Sequence, residues 1–444
     1  MKILQISTYD HGGAGKAARR LNTALNMCGI DSSMMVVDKR SDDHKVIEYG
    51  SQLSMFALKK QQIYNRLVQT DNMVRRLTNF IIIHTGYMNG ACSENIHQNV
   101  TELFSNDKSA YKIEDHELVS SSDIINLHWV SRSINYRSFF PAITGKPIVW
   151  TLHDMTPFTG GCYYSSNCTK YLNNCGGCPL LGSVANNDIS RRVWKSKQRS
   201  YRGQLIKVVT PSRWLAECAR KSSLFNGIEI NVIPNAISTE QYDEKDKNKA
   251  RKELGITTDK KLILFSASSV TNKRKGMDYL VRALKSLSEL KDIAVIIVGE
   301  DSKILLKNRR LTTYFTGHIS SGSRMADYYN AADIFVLPSL EDNLPNTVME
   351  SMACGTPVAA FDVGGVSDMV RDGETGLLAK PLSPEDLCDK IEWMLDHDHE
   401  REQMGKNARK IAEVEYSLKV QGERYRSLYN GIMMDINTHT LKKD

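Results

Sequence analysis

The chain has 444 residues, a formal net charge of +7, 41% hydrophobic residues and 25% charged residues. This composition is ordinary for a globular protein, and the length predicts two or three domains. No apolar run approaches the roughly 18 residues that span a bilayer, and 28 glycines with 11 prolines exclude a collagen-like chain. Gln5 interrupts the first apolar stretch, so we expect no signal peptide and a cytoplasmic protein.

Short apolar runs alternate with helical stretches through the first half of the chain, which is typical of a parallel, doubly wound α/β sheet. A glycine-rich turn at residues 12–15 and an apolar-periodic helix at 17–27 follow the first run. The strands predicted in this half are residues 2–7, 34–38, 123–129, 147–153, 207–210 and 231–234.

The same alternation begins again after a polar, charge-rich stretch at 238–258, and residues 383–430 are predicted to be helical. The further predicted strands are residues 262–267, 294–299, 313–316, 333–338 and 357–362. Two such α/β domains that face a cleft can hold a ligand between them. The predicted parts are an N-terminal domain at 1–237, a C-terminal domain at 238–415 and a C-terminal helix at 416–444 that packs back on the first domain.

The strongest motif lies at residues 333–365, which read DIFVLPSLEDNLPNTVMESMACGTPVAAFDVGG. This pattern predicts a strand, a loop with Glu341 and Asp342, and a helix that begins near Pro345 and ends before Gly355. A helix N-terminus at the carboxyl edge of a sheet attracts anions because its N–H groups are unpaired. The pattern alone equally allows an ordinary βαβ unit with a solvated acidic loop.

This stretch resembles the signature of the retaining glycosyltransferases of family 4, which have the two-domain GT-B fold. Their pattern is Pro-Ser, Glu, seven residues, Glu, and then Ala-Met-Ala-x-Gly-x-Pro-Val. Other segments resemble the same family in the right order, so the resemblance covers nearly the whole chain. They are GG at 12–13, WTLHD at 150–154, VVTPSRW at 208–214, VIPNA at 232–236 and NKRKGMDYL at 272–280.

The resemblance implies roles for individual residues. Lys275 matches the lysine that meets the donor diphosphate, with Arg274 as its helper, and Glu350 matches the acid that holds the ribose hydroxyls. His153 matches the histidine near the reacting sugar. The implied catalytic residues are His153 and Asp342, and the implied donor-binding residues are Gly12, Gly13, Arg274, Lys275, Asn343, Leu344 and Glu350. Without the resemblance, His153 would be interpreted as a structural histidine and Lys275 as a surface lysine.

The sequence departs from the family pattern at two places. Asp342 stands where the family usually has Glu, and Ser269 stands where it often has Arg, so phosphate binding must depend on residues 273–275. Asp is one methylene shorter than Glu. Either the donor sugar therefore lies deeper against this loop, or the neighbouring Glu341 takes the role. The unchanged spacing to the second acid favours Asp342.

Four of the nine cysteines lie within seventeen residues, in an insertion at 160–182. They are Cys162, Cys168, Cys175 and Cys178. In a reducing compartment such a cluster favours a metal site over disulfides, and four thiolates around zinc leave no position for water. We therefore predict a structural zinc. Four reduced thiols in a loop are the alternative.

The resemblance implies a retaining glycosyltransferase that moves a sugar from a UDP- or GDP-sugar to a hydroxyl of a glycan or lipid-linked acceptor. The expected setting is surface polysaccharide or lipopolysaccharide biosynthesis. No cofactor is expected to be required for catalysis, and no covalent protein nucleophile is implied. The alternatives are a nucleotide-sugar epimerase on the same fold and a non-catalytic protein that binds sugar or nucleic acid.

Two segments are unusually basic. Residues 186–225 hold ten Lys or Arg against two acids, and residues 56–83 hold five against one. They lack interleaved stacking aromatics, so nucleic acid is not an expected partner. We predict that they bring the protein, as a peripheral protein, to the anionic inner face of the plasma membrane. A solvated basic face together with a core helix is an equally good interpretation.

Overall fold

The computed structural model describes residues 1–49, 104–300 and 311–440. The chain divides into two compact units. The first unit consists of Met1–Pro211, Leu215–Val232 and Tyr425–Asp444, and the second of Ser212–Trp214 and Ile233–Arg424. None of the described helices is both long enough and apolar enough to cross a membrane.

The first unit contains a seven-stranded parallel sheet. Its strands are β1 (Lys2–Tyr9), β2 (Asp31–Asp38), β3 (Val46–Glu48), β4 (Ile124–Leu127), β5 (Ile148–Thr151), β6 (Ile206–Thr210) and β7 (Ile230–Val232). They lie in the order β3-β2-β1-β4-β5-β6-β7. The central strands β4 and β5 are buried along their whole length, as expected when helices cover both faces of a parallel sheet.

Among the described residues, five helices connect or follow these strands. They are α1 (Gly12–Met27), α2 (Glu117–Ser121), α3 (Tyr136–Ala142), α4 (Ile189–Tyr201) and α5 (Arg213–Lys221). The carboxylate of Asp188 caps the start of α4 by accepting a hydrogen bond from the Arg191 backbone N–H at 3.1 Å.

The second unit contains a six-stranded parallel sheet and most of the other helices that the structure describes. Its strands are β8 (Lys261–Ser269), β9 (Ile293–Glu300), β10 (Thr312–Gly317), β11 (Ile334–Leu337), β12 (Val358–Phe361) and β13 (Gly376–Ala379). Their order is β10-β9-β8-β11-β12-β13. The helices are α6 (Lys247–Leu254), α7 (Met277–Leu290), α8 (Gly322–Ala331), α9 (Asn346–Ala353), α10 (Pro384–Asp396) and α11 (Asp398–Glu415).

The core of the second unit lies on both faces of its sheet. Because successive side chains of a strand point to opposite faces, Leu262 and Leu264 enter one apolar cluster, and Ile263 and Phe265 enter the other. Strands β8 and β9 therefore contain continuous apolar runs without alternation.

The last helix, α12 (Leu418–Thr440), carries two fully buried tyrosines against the first sheet. The hydroxyl of Tyr429 accepts a hydrogen bond from Asn126 Nδ2, and that of Tyr425 lies 2.9 Å from Thr151 Oγ1. Thr151 Oγ1 itself donates to Asn126 Oδ1, so Tyr425 is the donor of the pair. Residues from Tyr425 onward belong to the first unit.

Each of the strands predicted from apolar runs is present, and the helical prediction for 383–430 is confirmed. The prediction for the first helix was wrong at its start, because α1 begins at Gly12 and includes the glycines that were assigned to a turn. The short strands β3 and β13 were missed. The basic segment at 56–83 lies outside the described residues.

Candidate functional site

The order of the second sheet reverses between β8 and β11. From β8 the chain continues to β9 and β10 on one side, and from β11 to β12 and β13 on the other. In open parallel sheets, the loops at the carboxyl ends of such a pair of strands form a crevice in which ligands bind. The loops at 270–276 and 338–345 are therefore the candidate ligand site of this unit.

The loop after β8 contacts the loop after β11 at Gly276. Gly276 has a φ of +71°, and a Cβ atom there would lie 1.7 Å from the carbonyl oxygen of Pro338. Only glycine permits both this backbone conformation and this contact. The residues just before it, Lys273–Lys275, form a single 3-10 turn, in which Asn272 Oδ1 accepts from the Arg274 backbone N–H at 3.0 Å. This turn places Arg274 and Lys275 beside the loop that follows β11.

Asp342 is a buried carboxylate next to two cations. Its Oδ2 atom lies 2.5 Å from Lys275 Nζ and 3.7 Å from Arg274 Nη1, and Ser339 Oγ donates to it at 3.3 Å. Burial alone would raise the pKa of Asp342, but the charges of Lys275 and Arg274 and the hydrogen bonds outweigh it, so the pKa is lowered. Asp342 is therefore ionised at neutral pH.

This cluster carries a net positive charge, because two cations surround a single carboxylate. Arg274 Nη1 also donates to the backbone carbonyl of Glu341 at 2.8 Å, which ties the basic loop to the acidic one. Lys273, by contrast, is exposed. Of the three basic residues at 273–275, the structure places Arg274 and Lys275 at the candidate site.

Of the other residues of this unit implied for the donor, Glu350 lies on helix α9, and Asn343 and Leu344 lie in the loop before it. Glu350 is buried, and its Oε2 accepts a hydrogen bond from the Tyr329 hydroxyl at 3.3 Å. The Asn343 backbone N–H donates to Asp342 Oδ1 at 3.1 Å, and Asn343 Oδ1 accepts from Ser212 Oγ at 2.6 Å. Leu344 is buried in the apolar core.

Sequence reasoning missed the contribution of Gly364 and Gly365, which follow β12. Cβ atoms on them would lie 1.9 Å from the carbonyl oxygens of Asp342 and Asn343, respectively. The Gly365 N–H also donates to Asp342 O at 3.0 Å. The signal was present in the paired glycines that end the motif at 333–365, since glycine allows another backbone segment to approach closely.

The first sheet has its own reversal of order, between β1 and β4. Gly12 and Gly13 follow β1 as the first residues of α1, and Gly12 has a φ of +66°. His153 comes two residues after β5 and lies 3.0 Å from the ring of His128, which directly follows β4. His128 was missed from the sequence, although it is a histidine at the end of a predicted strand.

The four clustered cysteines line one small cavity of about 20 Å³, together with Lys170 and Tyr171. Within the described part of the chain, however, no three His, Cys, Asp or Glu side chains form a group arranged to hold a metal ion. Burial raises the pKa of Cys178 and raises that of Cys175 to about 11, which favours protonated thiols. Binding of zinc would require the sulfur atoms to converge on the cavity and to lose their protons.

Residues 246–411 match the family model described as glycosyl transferases group 1. This stretch lies in the second unit and includes Arg274, Lys275, Asp342 and Glu350. The match supports the family indicated by the sequence resemblance. Over 235 residues the chain is also 27% identical to the lipopolysaccharide 1,2-N-acetylglucosaminetransferase of Salmonella typhimurium, which covers 49% of this chain and 60% of that protein. The chain spans about half the length of the curated relatives that it matches.

Solved structures resemble the chain over nearly its whole length. A sucrose-phosphate synthase from Thermosynechococcus elongatus has a TM-score of 0.62 at 18% identity, covering 98% of this chain and 99% of its own. The Anabaena protein HepE in complex with UDP-glucose has a TM-score of 0.58 at 16% identity, covering 97% and 100%. Similarity at this level shows the fold, and it confirms the predicted GT-B fold with two Rossmann-like α/β units.

The roles of Asp342 and Glu341 can be separated by two charge-neutralising variants. We expect Asp342→Asn to lose about 100-fold in kcat, because it removes the carboxylate that orients Lys275 and Arg274. Glu341→Gln should stay within about threefold of wild type, since Glu341 contacts Arg274 through its backbone carbonyl, which the variant keeps. Steady-state kinetics with the true donor measures both, and thermal unfolding checks that both are folded. A large loss of kcat in Glu341→Gln together with a small loss in Asp342→Asn would assign the catalytic role to Glu341.

Zinc binding by the cysteine cluster is tested by metal analysis of protein purified without chelators. The prediction is about one zinc per chain, lost together with stability when any of the four cysteines is replaced by Ser. Cys388 is a buried cysteine of the second unit, and Cys388→Ser serves as the matched control that should keep the metal. Protein free of metal would leave the four residues as reduced thiols.

Proposed function

We propose that this protein is a retaining glycosyltransferase, which moves a sugar from a nucleotide-sugar to a hydroxyl of a glycan or lipid-linked acceptor. The observation that carries the proposal is the positively charged cluster of Arg274, Lys275 and the buried Asp342 at the carboxyl edge of the second sheet. This cluster lies within the residues that match the glycosyl transferases group 1 model. A site of this charge suits a diphosphate.

The cations of this cluster would act on the leaving group. As the glycosidic bond breaks, negative charge grows on the diphosphate, and cations that are already oriented stabilise it without reorganisation. Lys275 is oriented by Asp342 at 2.5 Å, and an ammonium group has three N–H donors, so it can also donate to a phosphate oxygen. Arg274 is held in the same way by the Glu341 carbonyl.

Transfer with retention requires the acceptor to attack from the face that the diphosphate leaves. In the reaction we propose, the bond between the anomeric carbon and the diphosphate oxygen breaks, and the acceptor oxygen forms the new bond. The acceptor proton passes to a diphosphate oxygen, so that no protein nucleophile is needed. Asp342 is ionised and therefore accepts hydrogen bonds, so it can hold a sugar hydroxyl while this exchange takes place.

The donor and the pathway are proposed from the named relatives. HepE, which shares the fold, was solved with UDP-glucose, so a UDP-sugar is the first donor to test, followed by GDP-sugars. The Salmonella relative is named as a lipopolysaccharide transferase, and this name supports a role in surface polysaccharide or lipopolysaccharide biosynthesis. The glycan or lipid-linked acceptor is proposed on the same ground.

The decisive experiment incubates the full chain with UDP- and GDP-sugars, with and without glycan acceptors. We expect release of nucleoside diphosphate that depends on the acceptor. Lys275→Ala should lower kcat/KM by an amount equivalent to about 2–4 kcal/mol, and Glu350→Gln should mainly weaken nucleotide binding. Lys273→Ala is the matched control, because it removes an exposed charge from the same loop and should leave kcat/KM near the wild-type value.

Other outcomes of this experiment identify the alternatives. An epimer formed without acceptor would indicate a nucleotide-sugar epimerase, and tight binding without turnover would indicate a binding protein. Wild-type turnover by both Lys275→Ala and Glu350→Gln would show that the site is wrongly assigned.

We also propose that helix α4 docks on anionic lipid as part of a peripheral membrane protein. Three of its basic side chains, Arg192, Lys195 and Arg199, are exposed. Lys197 is one of the ten basic residues of 186–225, but it is buried and donates a hydrogen bond to the backbone carbonyl of Thr159 at 3.1 Å. It therefore takes no part in this exposed surface. Each basic residue near an anionic bilayer contributes about 1 kcal/mol to binding.

Liposome co-sedimentation tests this docking. Binding should require anionic lipid and weaken with salt, and the double variant Arg192→Ala/Arg199→Ala should lower it about 30-fold, the equivalent of two such contributions. Lys249→Ala/Lys252→Ala removes two exposed charges from α6 and should not change binding. Equal binding to neutral vesicles would contradict the proposal.

A further inference from the structure

A tyrosine hydroxyl contacts the Glu350 carboxylate inside the second unit. Tyr329 lies near the end of α8, and its hydroxyl donates a hydrogen bond to Glu350 Oε2 at 3.3 Å. Glu350 lies on α9, the helix that follows the loop of Asp342. The Tyr329 side chain is fully buried, and only 6% of Glu350 is exposed. The contact therefore links the core of the unit to a residue of the proposed nucleotide site.

The position of the Tyr329 hydroxyl is determined by packing within the unit. The ring lies edge-on to that of Phe335 in β11, with ring centroids 5.5 Å apart and planes inclined by 76°. The backbone carbonyl of Tyr329 accepts a hydrogen bond at 2.8 Å from Thr356 Oγ1, in the loop between α9 and β12. These contacts hold the hydroxyl beside Glu350 without the help of a ligand.

Tyr329 is the donor of the hydrogen bond to Glu350. Burial raises the pKa of Tyr329 well above its ordinary value, and the charge of Glu350 raises it further. The hydroxyl therefore keeps its proton, and a carboxylate can only accept. The two oxygens of a carboxylate have lone pairs for about four hydrogen bonds. Glu350 can therefore accept from Tyr329 and from the hydroxyl groups of a ligand at the same time.

Ordering Glu350 in advance favours the binding of a ligand with hydroxyl groups. A flexible glutamate side chain loses rotamer freedom when a ligand orders it, and this loss opposes binding. Part of the loss is avoided here, because Tyr329 already holds one oxygen of the carboxylate. Removal of the Tyr329 hydroxyl should therefore weaken the binding of those ligand groups that contact Glu350.

We propose that Tyr329 is a positioning residue, which holds the Glu350 carboxylate in place for the ribose hydroxyls of the donor nucleotide. In this role Tyr329 acts through Glu350 and does not touch the nucleotide. The site then prefers a ribonucleotide to an analogue without the two hydroxyls, and this preference depends on the Tyr329 hydroxyl. The nucleotide as the ligand rests on the proposed function, whereas the hydrogen bond between Tyr329 and Glu350 does not.

Equilibrium binding to the full chain tests this role, with UDP, GDP and their 2′,3′-dideoxy analogues as probes. We expect the wild type to bind one of the two ribonucleotides about 30-fold more tightly than its dideoxy analogue, which has no hydroxyl for Glu350. Tyr329→Phe keeps the ring and should lower this preference about 10-fold, the equivalent of one hydrogen bond. An unchanged preference in the folded Phe variant would overturn the role of Tyr329.

Two further variants separate positioning from a general loss of structure. Tyr416 is another buried tyrosine of the second unit, whose hydroxyl donates to the backbone carbonyl of Asp368 at 2.9 Å. Tyr416→Phe removes a comparable hydrogen bond and should keep the preference for the ribonucleotide. In a Glu350→Gln background, Tyr329→Phe should change the preference less than about twofold, because the two residues act as one unit. Independent losses that multiply in the double variant would contradict the proposal.

A spectroscopic measurement decides the question if Tyr329→Phe does not fold. In protein labelled with [13Cζ]tyrosine, the Cζ signal reports the hydrogen bond of each hydroxyl. We expect one tyrosine signal to shift both in Glu350→Gln and on addition of the ribonucleotide, but not on addition of the dideoxy analogue. The absence of such a signal would overturn the proposal.

Failure of the proposed function gives a different result. If the wild type binds neither UDP nor GDP, the nucleotide donor is wrong, and the role of Tyr329 toward it falls as well. If the wild type binds a nucleotide without any preference for ribose, the donor proposal stands and the inference about Tyr329 and Glu350 is overturned alone.

Discussion

Close contact between backbone segments at glycine positions is the constraint on which the candidate site of the second unit depends. The carbonyl oxygens of Pro338 and Asp342 lie where Gly276 and Gly364 would have a Cβ atom. Through these contacts the loops that follow β8, β11 and β12 pack directly against one another at the carboxyl edge of the sheet. A Cβ atom at either glycine would overlap one of these carbonyl oxygens, so the loops could not keep their present contacts.

The electrostatics of the site follow from this packing. A buried carboxylate is costly unless it is paired, and the two cations at 2.5 and 3.7 Å remove that cost and lower the pKa of Asp342. The cations are in turn held by oxygen atoms of the acidic loop, so their positions do not depend on a ligand. In the first unit, hydrogen bonds link Asn22, Ser32, Gln5, His128 and His153 in that order.

Local sequence predicted the secondary structure well where apolar runs were long, and poorly where an element depends on its neighbours. The three residues of β3 and the four of β13 lie at the edges of the two sheets, and neither is long enough to show a pattern of its own. Lys197 illustrates the same limit for side chains. In the sequence it is one of ten basic residues in 186–225, yet it is buried against the backbone carbonyls of Thr156 and Thr159.

The sequence by itself determined the α/β class, the family resemblance and the identities of Arg274, Lys275 and Asp342 as candidate site residues, because these depend on local runs and motif spacing. Only the tertiary structure decided which basic residue of 273–275 faces solvent, which acid of the 341–342 pair meets the cations, and that His128 lies against His153. These facts depend on which strands become neighbours in a sheet. His128 and His153 are 25 residues apart in the chain, and only the pairing of β4 with β5 brings their rings together.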